Sequence, residues 1–126
     1  MSTTKPIQPA QRSRRQITPS DAACCGETPI AQPQIEEGRL VTMVDRLKAL
    51  ADPTRLRMLE LLVAQPGELC VCDITSQFEQ RQPTISHHLR ILRDAGLIRG
   101  EKRGVWSYYQ ATEAGIQSMS TLRSFA

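Results

Sequence analysis

A chain of 126 residues, 40% of them hydrophobic and 23% charged, fits one small globular domain plus a tail. No run approaches the ~18 apolar residues that cross a bilayer, and the opening stretch Met1 to Pro9 has no apolar core for a secretory signal. A soluble, cytoplasmic protein with no membrane partner is therefore expected, its four cysteines serving as thiols or metal ligands before disulfides. The net charge of +3 proves no nucleic-acid partner, but Arg81, Arg90, Arg93, Arg99, Lys102 and Arg103 are set against only Asp94 and Glu101, a local basic patch.

Residues 1–35 hold five of the eight prolines and no aromatic residue, so they cannot bury enough apolar surface to offset their chain entropy. They read as a flexible tail carrying one feature, the adjacent pair Cys24-Cys25. The acid-free, Arg-rich start faintly resembles a transit peptide, but Pro6, Pro9 and Pro19 break the amphipathic helix that such a peptide needs.

Residues 36–126 form the predicted domain. From Glu36 the spacing of Leu40, Val44, Leu47 and Ala51, widened by Met43 and Leu50, predicts an amphipathic helix. Asp52-Pro53 opens a second, with Leu56, Leu59, Leu62 and Val63 as its buried face and Pro66-Gly67 as its stop. A short third helix is predicted over Val71–Glu79, with Ile74 and Phe78 inward, followed by a turn at Gln80-Arg81-Gln82. Pro83 opens a fourth helix with Ile85, Leu89 and Leu92 on one side, ending at Gly96. Leu97–Glu101 and Val105–Tyr109 are predicted strands of a hairpin around Lys102-Arg103-Gly104, and a last helix over Thr112–Leu122 turns Ile116, Met119 and Leu122 inward. The whole reads as mainly α with a small β-hairpin.

A short helix, a tight turn and a second helix make a helix-turn-helix, in which one face packs and the opposite face enters the major groove. At about 100° per residue, Ile85, Leu89 and Leu92 share a narrow arc, with His87, Arg90 and Asp94 opposite and Thr84 and Ser86 flanking. Hydroxyls, an imidazole and a guanidinium suit base edges and phosphates. Arg99, Lys102 and Arg103 suit a wing on the phosphate backbone. Gln82, Thr84, Ser86, His87, Arg90, Lys102 and Arg103 are the candidate DNA contacts. His88 is expected to pack or bond inside the domain, and Trp106, Tyr108 and Tyr109 to serve the core or a dimer surface rather than base stacking. A helical domain with a merely solvated charged face is the plainer alternative.

Cys70 and Cys72 stand two apart, and on a regular helix they would point about 200° away from each other. They can face one ion only if Cys70 precedes the helix in extended backbone. A helix N-terminus is expected to lower the thiol pKa. With Cys24 and Cys25 they make four candidate thiolate ligands, suited to arsenite, cadmium, lead, zinc or copper(I). Two small buried hydrophobes, an unused tail pair, or a redox-sensing thiol set remain the other readings.

Leu47-Lys-Ala-Leu-Ala-Asp-Pro-Thr-Arg-Leu-Arg-Met-Leu, Glu68-Leu-Cys-Val-Cys-Asp, Gln82-Pro-Thr-Ile-Ser-His-His-Leu-Arg-Ile-Leu and Arg103-Gly-Val-Trp-Ser-Tyr-Tyr together resemble the ArsR/SmtB family of winged-helix metal-sensing repressors. The resemblance implies a winged helix-turn-helix homodimer, held by its first and last helices, that binds operator double-stranded DNA and releases it when an ion is bound. One arsenite-sensing branch carries a third cysteine where this chain has Thr75, which leaves Cys70 and Cys72 one sulfur short unless Cys24-Cys25 supply it. The cadmium/lead-sensing branch also joins tail cysteines to this box, with a wider tail spacing. The reading favours arsenite, with cadmium, lead or zinc as the alternative. The family's other zinc site, on the last helix, is expected to be absent because residues 112–126 offer only Glu113. A thiol enzyme is not expected: the chain has no Cys-x-x-Cys, no phosphate-cradling loop and no histidine away from the recognition helix.

Overall fold

The computed structural model describes residues 28–126, and Ile35–Ala126 form one compact unit. Its elements, in chain order, are α1 (Glu37–Leu50), α2 (Pro53–Val63), β1 (Leu69–Cys70), α3 (Val71–Ser76), α4 (Gln82–Asp94), β2 (Ile98–Arg103), β3 (Trp106–Ala111) and α5 (Glu113–Phe125). The three strands form one antiparallel sheet in the order β1-β3-β2. Helices with a small sheet at one end are the winged helix-turn-helix plan.

Local chemistry sets most of the boundaries. Asp52 caps α2, its carboxylate accepting from Arg55 N at 3.0 Å, and Pro53 takes the first helical turn, where a missing N–H costs nothing. α4 ends in a Schellman motif: Gly96 N donates to Arg93 O at 2.9 Å and Leu97 N to Leu92 O at 3.1 Å, with Gly96 at φ 76°. Leu92 and Leu97, which flank the motif, are both fully buried. Thr112 caps α5 by accepting from Gly115 N at 3.2 Å, while its own hydroxyl donates to Gly96 O at 2.6 Å. The last helix is thereby tied to the end of α4.

The core is a single apolar cluster around Met58, Leu59, Leu62, Ile74, Ile85, Leu89, Leu92, Leu97 and Ile98. Leu59, Leu62, Ile74, Ile85, Leu89 and Leu92 are the inward residues that helical spacing selects. Met58, beside Leu59, is equally buried, while Leu56 and Val63 are only half-buried. Where α5 crosses the start of the hairpin, Gly115 is buried so tightly that a Cβ would overlap the Leu97 carbonyl oxygen and meet Leu59 Cδ1 at 3.1 Å.

Several elements differ from the sequence expectation. α3 stops at Ser76 rather than Glu79, because Gln77 N and Phe78 N bond back three residues, to Ile74 O and Thr75 O, and tighten the chain out of the α-helix. Phe78 still packs against the core. The hairpin is shifted toward the C-terminus and longer, pairing Ile98 with Ala111 through to Arg103 with Trp106, which leaves Gly104 (φ 62°) and Val105 as a two-residue turn. β1 was not expected at all. Ile116 lies exposed, not inward. Of the expected α1 stripe only Leu50 is buried, while Leu40, Met43, Val44 and Leu47 stand 39–57% exposed and Ala51 is exposed as well.

Candidate nucleic-acid interface and thiol site

α3 and α4 are the two helices of the helix-turn-helix, and the buried row Ile85, Leu89 and Leu92 fixes which way α4 turns its other side. Gln82, Thr84, His87 and Arg90 are exposed on that helix and Ser86 is half-buried. They form a surface of donors and acceptors of the length that reaches base edges and phosphates. His88 points the other way. It is half-buried, with Nδ1 3.4 Å from Arg55 Nη1.

Arg55 turns that contact into a junction. Its Nε donates to Ala49 O at 2.6 Å and its Nη2 to Lys48 O at 3.5 Å, two carbonyls at the end of α1. Arg46 makes a second link, its Nε donating to Ala95 O at the end of α4. Two arginines thus hold α1 to the helix that carries the candidate base contacts. Neither was singled out from the sequence, since backbone carbonyls leave no sequence signal. The Asp52 carboxyl beneath this junction is held below the usual carboxylate range, chiefly by the Arg55 N–H and further by the charges of Arg55 and His88.

The wing is the β2–β3 hairpin. Lys102 is exposed, and Arg99 Nη2 donates to Gln110 Oε1 at 2.6 Å. Arg103 Nη2 lies 2.8 Å from both Glu101 Oε2 and Glu68 Oε2, with the guanidinium 4.9 Å from the centre of the Tyr108 ring. Tyr108 and Tyr109 are half-buried, and Trp106 is 49% exposed. Glu68 escaped the sequence reading. Its charge, opposite to the wing's and close in sequence to the cysteines, was the available sign.

At the cysteines the structure supplies the geometry that a regular helix forbids. Cys70 is the N-cap of α3, in extended backbone (φ −67°, ψ 145°), and pairs with Tyr108 as the end of β1. Cys72 lies in the first turn of α3 and is exposed. The two residues therefore stand together at the start of one short helix. The Cys72 thiol is pushed above its ordinary pKa rather than below it. Partial loss of its water shell contributes most, then the Cys70 thiol beside it and the Asp73 carboxylate. The expected lowering by the helix end does not prevail: α3 has only six residues, and its first turn also carries an acid.

Among the described residues no three His, Cys, Asp or Glu side chains converge as a metal site. Cys70 and Cys72 fit half of a thiolate set, and Cys24 and Cys25 lie outside the described residues. Thr75 cannot complete it, because its hydroxyl donates to Val71 O at 2.7 Å inside its own helix.

Residues 52–99 match the family model described as bacterial regulatory protein, arsR family. The chain is 45% identical over 74 residues to the arsenical resistance operon repressor of Bacillus subtilis, covering 59% of this chain and 70% of that protein. The chain belongs to the ArsR family. As an ArsR-family protein it is a DNA-binding transcriptional repressor and not an enzyme. Over 63 residues it is 52% identical to the arsenic resistance transcriptional regulator ArsR1 of Pseudomonas putida, covering 50% of this chain but only 48% of that relative. The solution structure of a homodimeric winged helix-turn-helix DNA-binding domain from Mycobacterium bovis, a possible ArsR-family regulator, superposes with a TM-score of 0.64. The two are 26% identical, over 77% of this chain and 89% of that one. Among the described residues no helix is long and apolar enough to cross a membrane.

Proposed function

We propose that this ArsR-family protein binds operator DNA as a homodimer and lets it go when arsenite binds its cysteine thiols. The observation that carries the reading is the placement of Cys70 and Cys72 at the junction of β1 and α3, where the helix-turn-helix pair begins. Gln82, Thr84, Ser86, His87 and Arg90 would meet base edges and phosphates in the major groove, while Lys102 and Arg103 lie along the backbone. Exposed Leu40, Met43, Val44 and Leu47 on α1 supply an apolar face for the second subunit.

Thiol chemistry favours arsenite over a divalent cation. Arsenous acid condenses with three thiols to give three As–S bonds and three waters, with no net proton released. Cadmium, lead or zinc must displace a proton from each thiol. Binding of the second kind therefore depends on thiol ionisation at neutral pH, and binding of the first kind does not. Cys24 or Cys25 would provide the third sulfur. The names of the Bacillus and Pseudomonas relatives point to the same inducer.

Release requires that the ion bind free dimer more tightly than DNA-bound dimer, and a coupling of about 1–3 kcal/mol is usual for such switches. The test is a titration of the purified protein on operator DNA with arsenite, cadmium, lead and zinc in turn. Arsenite is expected to dissociate the complex at near-stoichiometric dose. Dissociation by cadmium or lead alone would move the protein to that sensing class. A complex indifferent to all four ions, yet broken by oxidant with loss of free thiols, would make it a redox repressor.

A further inference from the structure

In the protein alone Arg103 already has two carboxylate partners. One of its nitrogens, Nη2, serves both Glu101 on the wing and Glu68, which is not part of the wing. Glu68 directly precedes β1 and stands two residues before Cys70. β1 lies against β3 with Cys70 opposite Tyr108, the residue whose ring Arg103 covers. A single guanidinium therefore touches both the thiol-bearing segment and the DNA-binding hairpin.

Resting on the operator-binding reading above, we propose that Glu68 is a positioning residue for the wing, competing with the DNA backbone for Arg103. A phosphate that recruits Nη2 must replace at least one of its two carboxylates. Both pairs are solvent-exposed, with Arg103 at 51% and Glu68 at 30%, so the contact biases the wing and does not lock it. Its loss corresponds to about a two- to five-fold change in affinity. Because Glu68 and Cys70 belong to the same short segment, whatever displaces that segment also changes what Arg103 can reach.

The experiment uses the full chain without added ion and a duplex that the wild-type protein selects from a random-sequence pool. Glu68→Gln keeps the shape and removes the charge. It is expected to tighten binding about two- to five-fold and to steepen the dependence of log K on log salt by up to about one unit. Removing any acid near DNA would strengthen binding through the general field, so the deciding comparison is a double-variant cycle. In an Arg103→Ala background, Glu68→Gln is expected to keep only the general-field part of that gain, smaller than in the wild-type background, and to leave the slope unchanged. An equal gain in both backgrounds, or no gain in the presence of Arg103, overturns the proposal and leaves operator binding standing. A wild-type chain that selects no duplex overturns both.

Discussion

Cys72 projects from the first turn of a short helix and belongs to no part of the apolar core. Replacing its sulfur with a hydroxyl keeps the size and removes the soft donor that arsenite requires. Cys72→Ser should therefore change folding stability by less than about 0.5 kcal/mol and leave operator affinity intact, while abolishing release by arsenite. Fluorescence anisotropy of a labelled operator, titrated with arsenite, reads both outcomes, and loss of DNA binding in this variant would contradict the separation of sensing from reading. The sulfur positions were legible in the sequence, and so was the condition for their cooperation, that Cys70 precede the helix. What raises the pKa of the Cys72 thiol was not. The thiol pKa depends on Cys70, Asp73 and local desolvation acting together, and only the folded backbone brings those together. Arg55 is a similar case: its three partners at Lys48, Ala49 and His88 become neighbours only when α1, α2 and α4 have packed.

Limits set by a strong residue-type signal, such as a capping Asp-Pro or a C-terminal glycine, were readable, and those set by bare backbone bonding or by distant partners were not. The Asp-Pro start of α2, the glycine end of α4 and the inward row of α4 follow from residues within a turn of each other. β1 is two residues long, too short for any periodicity, and exists because β3 lies beside it. The two glycines inside helices make the same distinction measurable. Gly38 in α1 has nothing within 4 Å of a would-be Cβ, so Gly38→Ala should raise stability by about 0.5 kcal/mol through the unfolded chain. Gly115 in α5 abuts the Leu97 carbonyl, an unyielding backbone atom, so Gly115→Ala should cost about 1–3 kcal/mol of strain despite its better helix propensity. For a domain of this size that lowers Tm by about 4–8 °C per kcal/mol, measurable by thermal denaturation. Equal shifts for both variants would show that α5 does not approach the hairpin this closely.

At the scale of the whole molecule, α1 is the element whose pattern the described residues do not explain, and a second subunit is the cover proposed for it. Helical spacing marks an apolar stripe on it, yet among the described residues only Leu50 of that stripe is buried. Leu47 is 57% exposed, on the groove that α1 forms with α5, where Met43, Leu50, Ala114 and Leu122 also line the wall. A lone leucine there would mean little, but Leu40, Met43, Val44 and Leu47 form a contiguous stripe of the sort that two-fold partners cover. Leu47→Glu tests it. The residue supports little of its own chain's core, so the variant should fold with stability close to that of an isolated wild-type subunit. Two unpaired carboxylates in a buried interface would be strongly unfavourable, so the variant should sediment as a monomer at concentrations where the wild type is dimeric. Operator affinity should then fall by about 10²-fold or more, because two recognition helices no longer engage successive half-sites as one body. Sedimentation velocity and operator titration on the same sample separate the steps. A variant that stays dimeric would remove α1 from the interface, and a monomer with undiminished affinity would show that one recognition helix and its wing suffice.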